Sequence, residues 1–331
     1  MRILITGNMG YVGSVLVPHL RHAFPDAELI GCDAGWFANC VTSPGRAPET
    51  YLNRQLFHDV RDLIPDNKIE IGAFDAVVYL AAVSNDAVGN KFTDVTYKVN
   101  KNAAARVALS AIKCGVKHFV FASSCSVYGP ASDEIKTEES DPNPLTAYAE
   151  SKADAEEILN CLDIRMKITN LRFATACGPS QRLRTDLTLN WMVACATLDG
   201  KVTVHGNGEQ YRPLVDVRDM ARAVEWALTR DGDDAVTVNI GGHNLPVRDI
   251  GKIVAQTLDV PISFEPGEPD NRSYMVSFGK FKALAPNHQP QFSLQQTIAD
   301  LAFSFTEKQV RLDTLNAHIA AGRLSEDLRW Q

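Results

Sequence analysis

The chain has 331 residues, of which 45% are hydrophobic and 22% are charged. This composition excludes a disordered or fibrous protein and is typical of a globular chain long enough for one large or two ordinary domains. Lysine and arginine together number 33, against 40 aspartate and glutamate residues, so the net charge is −7. This acidic balance argues against nucleic acid as a partner.

The sequence shows neither a secretory signal nor a membrane span. Its first apolar run, residues 1–7, stops at a glycine, and no later stretch approaches the ~18 apolar residues of a spanning helix. We therefore expect a cytoplasmic protein with no membrane partner. Seven cysteines are scattered, without a Cys-x-x-Cys pair: Cys32, Cys40, Cys114, Cys125, Cys161, Cys177 and Cys195. Because their number is odd and several lie in apolar runs, we expect reduced core residues, with neither disulfides nor a bound metal.

Short β-rich runs alternate with helical patterns in the first half of the chain. The predicted strands are Arg2–Thr6, Ala27–Asp33, Gln55–Asp59, Ala76–Ala82, His118–Ser124 and Ile168–Ala174. The clearest predicted helices are Val12–Phe24, Tyr97–Cys114 and Ala147–Cys161. Strands that are apolar along their whole length suit a parallel sheet covered by helices on both faces. We therefore predict an α/β fold with a Rossmann-type, doubly wound parallel sheet and right-handed crossovers.

Beyond residue 175 the pattern becomes mostly helical. The predicted helices are Leu187–Leu198, Val217–Thr229, Val247–Leu258, Leu294–Ala302 and Glu307–Ala321. Short strands are predicted at Lys201–Val204 and Val236–Ile240, and a breaker-rich loop at Pro261–Asp270. We therefore expect a first domain over residues 1–175 and a smaller, mostly helical C-terminal lobe over residues 176–331, segments of which can return to the sheet.

The first predicted strand runs into the loop Gly7-Asn8-Met9-Gly10-Tyr11-Val12-Gly13, which leads into the first predicted helix. Its glycines suit a tight turn, close approach of the backbone to a pyrophosphate, and close helix-to-strand packing, and the helix N-terminus adds free N–H groups. Asp33 ends the second strand, where a carboxylate accepts hydrogen bonds from the adenosine ribose and repels a 2′-phosphate. The pattern predicts a dinucleotide site that prefers NAD to NADP; a structural turn with a surface aspartate is the alternative.

A second motif combines a serine with a tyrosine and a lysine. Ser124 ends the fifth predicted strand, and a helical pattern that begins after Pro144 contains Tyr148 and Lys152. Residues four apart share a helix face, so both side chains can point into one cleft. A nearby ammonium and the positive nicotinamide ring would lower the pKa of a tyrosine from its usual value of about 10 and make it a base. We predict that Ser124, Tyr148 and Lys152 are catalytic, with Ser124 holding the substrate oxygen.

The Tyr-x-x-x-Lys spacing alone is weak evidence, because Tyr97 and Lys101 share it. That pair precedes the serine strand, whereas Tyr148 follows it at the start of the next helix. We interpret Tyr97 and Lys101 as surface residues.

Together these motifs resemble those of the extended short-chain dehydrogenases/reductases, specifically the NAD-dependent sugar-nucleotide epimerase/dehydratase family. The similar pieces are the glycine loop, Asp33, Asp59-Val60, Leu80-Ala81-Ala82, the Ser-x-x-Val-Tyr-Gly motif that begins at Ser124, and Tyr148-x-x-x-Lys152. The resemblance implies that NAD is the cofactor, that a nucleoside-diphosphate sugar is the partner, and that Ser124 is the catalytic serine of the family.

The resemblance also assigns contacts with the cofactor. It places Asp59 and Val60 at the adenine, and it places Leu80, Ala81 and Ala82 along the ribose and the nicotinamide. Tyr148, Lys152 and Phe173 are further expected contacts with NAD. Asn100 resembles a family asparagine near the active site, and an ordinary helix residue is the equally supported alternative.

The second half contains further pieces that resemble the family. Asn190 resembles a position that binds the sugar-nucleotide diphosphate, and Arg212 and Arg272 resemble arginines that clamp the same group. Guanidinium donors match phosphate oxygens and keep their charge. Arg182 and Arg184 add positive charge just before the Asn190 helix and are expected in the same wall. Solvated surface arginines are the alternative for all four.

Two departures from the family pattern bear on the reaction. Dehydratases of the family have an Asp-Glu pair directly after the catalytic threonine or serine, where this chain has Cys125 and Ser126. The usual proton carriers of a 4,6-dehydratase are therefore missing. UDP-galactose 4-epimerases have an asparagine after the sixth strand, where this chain has Thr175. We expect Thr175 to contact the sugar, whose identity stays open.

We therefore expect an NAD-dependent epimerase of a nucleoside-diphosphate sugar, which acts through a transient keto-sugar with Tyr148 as the base. The main alternative is an NAD(P)H-dependent keto-sugar-nucleotide reductase or dehydrogenase; a 4,6-dehydratase and a non-catalytic dinucleotide-binding sensor are disfavoured. Family members commonly dimerise through the Tyr148 helix and the helix before the serine strand. Apolar positions in Val99–Leu109 and Ala153–Leu162 permit such packing, so a homodimer is expected.

Overall fold

A computed structural model describes residues 1–42, 46–63, 73–130, 134–162, 166–232, 235–267, 272–306, 325 and 327–329. The strands are β1 (Arg2–Thr6), β2 (Glu28–Asp33), β3 (Arg54–Phe57), β4 (Ala76–Tyr79), β5 (His118–Ser124), β6 (Ile135–Lys136), β7 (Lys167–Phe173), β8 (Thr175–Cys177), β9 (Val202–His205), β10 (Tyr211–Asp216), β11 (Val236–Ile240), β12 (His243–Pro246), β13 (Ile262–Glu265) and β14 (Met275–Val276). The α-helices are α1 (Gly13–Ala23), α2 (Asp86–Lys91), α3 (Thr93–Tyr97), α4 (Ala104–Lys113), α5 (Ala147–Asn160), α6 (Thr188–Asp199), α7 (Val217–Thr229), α8 (Val247–Leu258), α9 (Gly279–Leu284) and α10 (Leu294–Thr306).

Seven strands form one parallel sheet in the order β11-β7-β5-β4-β1-β2-β3. From β1 the chain adds β2 and β3 on one side, and β4, β5 and β7 on the other. The strand order therefore reverses between β1 and β4, and a crevice opens there at the carboxyl ends of the strands. The predicted Rossmann-type, doubly wound fold is confirmed.

Helices cover both faces of this sheet, and the alternation of side chains along each strand explains how. Ile3 and Ile5 pack in a core shared with α1 and α7, which includes Leu16 and Val224. Leu4, between them, packs on the opposite face in a core that includes residues of α4 and α5. Each strand is thus buried on both sides, as its continuous apolar character predicts.

The second half of the chain divides between the sheet and a separate set of elements. Helix α7 packs against β5, β7 and α1, and β11 pairs with β7 as the last strand of the sheet. The helices α6, α8 and α10 pack on one another beside three small sheets of two or three strands. Helix α7 and strand β11 therefore return to the sheet, and the predicted division at residue 176 stays a prediction.

Several elements differ from their predicted bounds. The predicted helix Tyr97–Cys114 begins earlier, with α3, and contains a π-helical turn at Lys98–Ala103 before α4. The strands of the three small sheets are short, and most lack a pattern that distinguishes them from loops. The predicted helix Glu307–Ala321 and residues 268–270 of the predicted loop lie outside the described residues.

Across the described ranges, no helix is both long enough and apolar enough to cross a lipid bilayer.

Candidate active site

A cleft of about 750 Å³ lies at the carboxyl edge of the sheet, above the point where the strand order reverses. The first turn of the chain and the ends of β2, β4, β5 and β7 form its floor, and segments of the second half form its other wall. This is the place where open α/β sheets bind their ligands.

The glycine turn presents bare backbone to the cleft. Gly7 has a positive φ of 73°, and a Cβ there would lie 2.6 Å from the backbone nitrogen of Ala81. A Cβ on Gly13 would lie 2.4 Å from the carbonyl oxygen of Asn8. Both positions therefore exclude a side chain, and the N-terminus of α1 stays open to a phosphate group.

Asp33 closes the adjoining end of the cleft. Its Oδ2 accepts a hydrogen bond from the N–H of Met9 at 2.9 Å, and its Oδ1 accepts from the N–H of Gly35 at 2.8 Å. Burial raises the pKa of this carboxyl, although these two donors and the charge of Arg182 oppose the increase. The carboxylate is thus held in place at the end of β2, where an adenosine ribose would lie.

Two residues of the loop face the protein rather than the cleft. Asn8 is fully buried and donates a hydrogen bond from Nδ2 to Oε1 of Gln55 at 2.7 Å. The side chain of Met9 is buried as well. Tyr11 lines the cleft, and its hydroxyl donates to the carbonyl oxygen of Gly178 at 2.7 Å.

Ser124, Tyr148 and Lys152 all line the same cleft. Ser124 is the last residue of β5, and its hydroxyl accepts a hydrogen bond from the N–H of Ser126 at 3.1 Å. Tyr148 and Lys152 lie one turn apart on α5, with the Lys152 ammonium 6.0 Å from the centre of the Tyr148 ring. Thr146 caps this helix by accepting a hydrogen bond from the N–H of Ala149 at 3.2 Å. The predicted group is therefore assembled by one strand end and one helix start.

Burial dominates the electrostatics of this group. Burial raises the pKa of Tyr148 to about 12, while the neighbouring hydroxyl of Ser124 opposes the increase. Burial lowers the pKa of Lys152 to about 7, against the opposing charge of Glu156. Desolvation is the largest cause of both shifts, because both groups are shielded from water.

The rest of the cleft beside the glycine turn and Asp33 is lined by small or apolar side chains. Five predicted contacts beyond Asp59 line the cleft: Val60, Leu80, Ala81, Ala82 and Phe173. Asp59 lines it too, and its carboxylate pairs with Arg61 at 2.6 Å. Bare backbone at the turn, a carboxylate at the end of β2 and an apolar floor match the pyrophosphate, ribose and rings of NAD, so these residues fit that cofactor.

Asn100 lies behind this wall. Its Oδ1 accepts a hydrogen bond from the N–H of Val83 at 2.9 Å, and its Nδ2 donates to the carbonyl oxygen of Val83 at 3.1 Å. Nδ2 also donates to the hydroxyl of Ser151 at 3.0 Å. The side chain is fully buried within the π-helical turn. Asn100 thus holds the cleft wall at Val83, and its own side chain faces protein.

All four predicted arginines line the cleft, and Arg184, Arg212 and Arg272 lie apart from Arg182. Arg184 pairs with Asp186 at 2.7 Å, and Arg272 pairs with Asp86 at 2.6 Å. Arg212 is buried and donates from Nη1 to the carbonyl oxygen of Tyr211 at 2.9 Å. Because Asp86 and Asp186 offset two of these three charges, the group keeps one net positive charge, which suits a diphosphate.

Thr175, in β8, also lines the cleft.

Arg182 and Asn190 lie elsewhere than the sequence suggested. Arg182 is buried at the Asp33 end of the cleft, where Nη1 donates to the hydroxyl of Ser14 at 3.1 Å and pairs with Glu49 at 2.7 Å. Asn190 is fully buried behind the cleft, and its Oδ1 accepts from the N–H of Gly178 at 3.0 Å. The structure therefore brings neither side chain to the wall formed by the other arginines, because each is engaged by protein groups.

The lining residues that were not predicted from the sequence include Asp86, Asp186 and Tyr274. Tyr274 lies two positions after Arg272, so its closeness to a predicted site residue could have indicated that it also lines the cleft. Asp186 lies two positions after Arg184, so the same signal applied to it. Asp86 had no local signal, because it meets Arg272 across 186 residues of sequence.

The fold and the cleft define the class of protein. A doubly wound parallel sheet, a glycine-rich first turn and a Ser–Tyr–Lys group in one cleft are the features of a short-chain dehydrogenase/reductase. The model of the NAD dependent epimerase/dehydratase family matches residues 3–241, well over half of the chain. The chain therefore belongs to the NAD dependent epimerase/dehydratase family, and the predicted family and cofactor, NAD, are confirmed.

Individual relatives include both reaction types. The chain is 26% identical over 323 residues to dTDP-glucose 4,6-dehydratase of Escherichia coli, which covers 89% of this chain and 86% of the relative. It is 26% identical over 301 residues to UDP-glucose 4-epimerase of Lactobacillus helveticus, with 82% and 87% covered. The solved structure of MoeE5 in complex with UDP-glucuronic acid and NAD has a TM-score of 0.77 at 24% identity, with 93% of this chain and 99% of that chain covered. The comparisons establish the family and leave both reaction types represented among its relatives.

Proposed function

We propose that the protein is an NAD-dependent epimerase of a nucleoside-diphosphate sugar. The main support is that Ser124, Tyr148 and Lys152 face one cleft while the position after Ser124 is withdrawn from it. Cys125 is fully buried, and its Sγ donates a hydrogen bond to the carbonyl oxygen of Arg172 at 3.1 Å. A position directed into the interior, and occupied by a thiol, supplies no acid for the elimination of water.

The residues of the chain take distinct parts in the proposed reaction. The glycine turn binds the pyrophosphate of the cofactor, and Asp33 binds its adenosine ribose. NAD, when bound, supplies a reversible acceptor for hydride. Tyr148, whose phenolate form the positive nicotinamide ring of bound NAD would favour, accepts the proton of a sugar hydroxyl, and Ser124 hydrogen bonds to the same oxygen. Lys152 contributes donors for the nicotinamide ribose.

Inversion requires the keto-sugar to present its other face before Tyr148 returns the proton to the same oxygen. The nucleotide has to remain bound while the sugar turns, so binding must be concentrated on the diphosphate. Arg184, Arg212 and Arg272 line this part of the cleft and suit that role.

The test is an assay of the purified protein with UDP-, GDP-, CDP- and dTDP-sugars, with products identified by nuclear magnetic resonance. We expect an epimer of one of these sugars to form without net consumption of NADH or NADPH. Stoichiometric consumption of either reduced cofactor would instead support a keto-sugar reductase and overturn the proposal. A 4-keto-6-deoxy product would support a dehydratase.

Tyr148→Phe tests the assigned base. We expect turnover to fall by at least about 100-fold, since general-base catalysis contributes about that much or more. The dissociation constant for NAD should change little. Tyr97→Phe is the matched control, because Tyr97 shares the Tyr-x-x-x-Lys spacing but donates its hydroxyl to Glu150 at 2.7 Å, on the outer side of α5. Full activity in Tyr148→Phe would exclude this mechanism.

We also propose a homodimer that packs the outer faces of α4 and α5 on their partner copies. Most apolar positions of these helices, such as Val107 and Leu159, are buried in the chain's own core. Leu109 is 42% exposed on the outer face of α4. Light scattering during gel filtration measures the mass, and Leu109→Asp is expected to weaken association.

A further inference from the structure

Asp86 links two parts of the cleft that are distant in sequence. Its Oδ2 accepts a hydrogen bond from Nη1 of Arg272 at 2.6 Å, across 186 residues of sequence. Its Oδ1 accepts a hydrogen bond from the hydroxyl of Thr146 at 2.7 Å. Thr146 is the N-cap of the helix that carries Tyr148 and Lys152. One carboxylate therefore connects an arginine of the second half to the start of the catalytic helix.

We propose that Asp86 is a positioning residue that orients Arg272 toward the substrate diphosphate and ties this arginine to the helix of Tyr148. This inference rests on the proposed function, in which Arg272 binds that diphosphate. A guanidinium is planar, so a carboxylate that holds one nitrogen fixes the direction of the remaining donors.

Stability alone gives no adequate reason for this ion pair. The side chains of Arg272 and Asp86 are 47% and 27% exposed, and pairs with this degree of exposure contribute only about 0–1 kcal/mol to folding. Both residues line the cleft. A pair of low structural value at the substrate end of the cleft is better explained by the alignment of a binding group.

The charge of Asp86 also acts on Tyr148, in the direction that raises its pKa. The titratable and charged groups that face Tyr148 come from several elements: Asp86 of α2, Arg184 from the segment after β8, Lys152 of α5, Cys125 from the segment after β5, and Tyr274 from the segment before β14. Of these, Arg184 lowers the pKa of Tyr148 and Cys125 raises it. Removal of the Asp86 charge should therefore lower this pKa and make the base available at lower pH.

The experiment compares Asp86→Asn, Arg272→Gln and the double variant in the full-length protein. Substrate kinetics use the nucleotide sugar found in the assay above, and dissociation constants are measured calorimetrically for UDP, GDP, CDP and dTDP. We expect each single substitution to raise KM and the dissociation constant of the preferred diphosphate by about 10-fold, with kcat changed less than about 3-fold. The double variant should match Arg272→Gln, since the two residues act as one unit.

The pH profile distinguishes positioning from a structural role. In Asp86→Asn the acid limb of kcat/KM should move to lower pH, because the pKa of Tyr148 falls when a neighbouring negative charge is removed. Asp86→Glu keeps the charge but moves the carboxylate, so KM should rise while the acid limb stays in place. Asp86→Glu also provides the test of the positioning role if Asp86→Asn does not fold. Asp249→Asn is the control, since Asp249 forms an exposed pair with Lys252 on α8.

The outcomes separate this inference from the proposed function. Additive effects of the two substitutions, or an unchanged KM in Asp86→Asn, would overturn the positioning role while the wild-type enzyme remained an epimerase. A wild-type protein that binds none of the four nucleoside diphosphates would overturn the proposed function, and this inference with it.

Discussion

The ammonium nitrogen of Lys152 lies 2.7 Å from the carbonyl oxygen of Ala122, to which it donates a hydrogen bond. Ala122 lies two residues before Ser124 in β5, so this contact fixes the distance between the catalytic helix and the serine strand. Lys152 is 1% exposed, and burial lowers its pKa to about 7. The contact is therefore maintained against a desolvation cost.

Lys152→Met is expected to stabilise the fold while it removes activity. At pH 7 the gain should be about 1 kcal/mol, because a buried ammonium is replaced by an apolar chain of similar length. In the wild type the folded pKa is below the unfolded one, so stability is fully present above the unfolded pKa of about 10.4 and is lost as the pH falls towards about 7. The advantage of methionine should therefore be largest near pH 7 and shrink at higher pH.

Urea unfolding of both proteins at neutral and alkaline pH measures this difference. If the free energy of unfolding of the methionine variant is lower than that of the wild type by the same amount at each pH, burial does not destabilise the charged form of Lys152.

Asp33→Asn should weaken NAD binding by about 10-fold and reduce the preference for NAD over NADP. The substitution removes the charge that repels a 2′-phosphate, and it leaves an amide where ribose hydroxyls require an acceptor. Dissociation constants for both dinucleotides, measured by calorimetry, give the result. Asp26→Asn, at an exposed position, is the control. If the preference does not change, Asp33 is wrongly assigned to the ribose.

Gly7→Ala and Gly115→Ala form a matched pair. Both glycines have a positive φ, 73° and 78°, so each alanine costs about 1 kcal/mol for its backbone conformation. A Cβ at Gly115 meets nothing within 4 Å, whereas one at Gly7 lies 2.6 Å from the nitrogen of Ala81. Gly7→Ala should therefore lower the free energy of unfolding, measured in urea, by about 1–3 kcal/mol more than Gly115→Ala does. It should also weaken NAD binding, and equal losses in the two variants would contradict the close approach.

Asn100→Ala should destabilise the protein by about 2–4 kcal/mol, because the N–H and carbonyl of Val83 both lose their buried partner. Since Val83 lines the cleft, binding of NAD should weaken as well. Thermal and urea unfolding measure the first effect, and calorimetry measures the second. Asn102→Ala, on the exposed side of the same π-helical turn, should change stability by less than about 0.5 kcal/mol. A neutral Asn100→Ala would show that the wall does not depend on this side chain.

The sequence was most informative where the evidence for a structure is local. A strand that ends in Gly7, a carboxylate at the end of the next strand and a tyrosine one turn before a lysine each depend on neighbours within a few residues. The π-helical turn at Lys98–Ala103 was missed because the apolar spacing of that segment fits an ordinary helix equally well.

Contacts between distant residues could not be predicted in this way. Arg182 meets Glu49 across 133 residues, and Arg272 meets Asp86 across 186. An arginine in isolation does not reveal whether its partner is a phosphate or a carboxylate of the same chain. Asn190 illustrates this limit, since its amide is engaged by Gly178 and by the carbonyl oxygen of Arg184.

The pairing of β11 with β7 has a consequence for how the chain can be divided. A fragment that ends at residue 175 would lack β11, and the hydrogen-bonding groups along one side of β7 would have no neighbouring strand. It would also lack α7, which leaves apolar side chains of β5 and β7 uncovered. Unpaired edge strands of this kind tend to pair with edge strands of other copies of the same chain. The truncated protein should precipitate or form ordered aggregates, and any expression strategy for the cofactor-binding half has to retain residues 217–240.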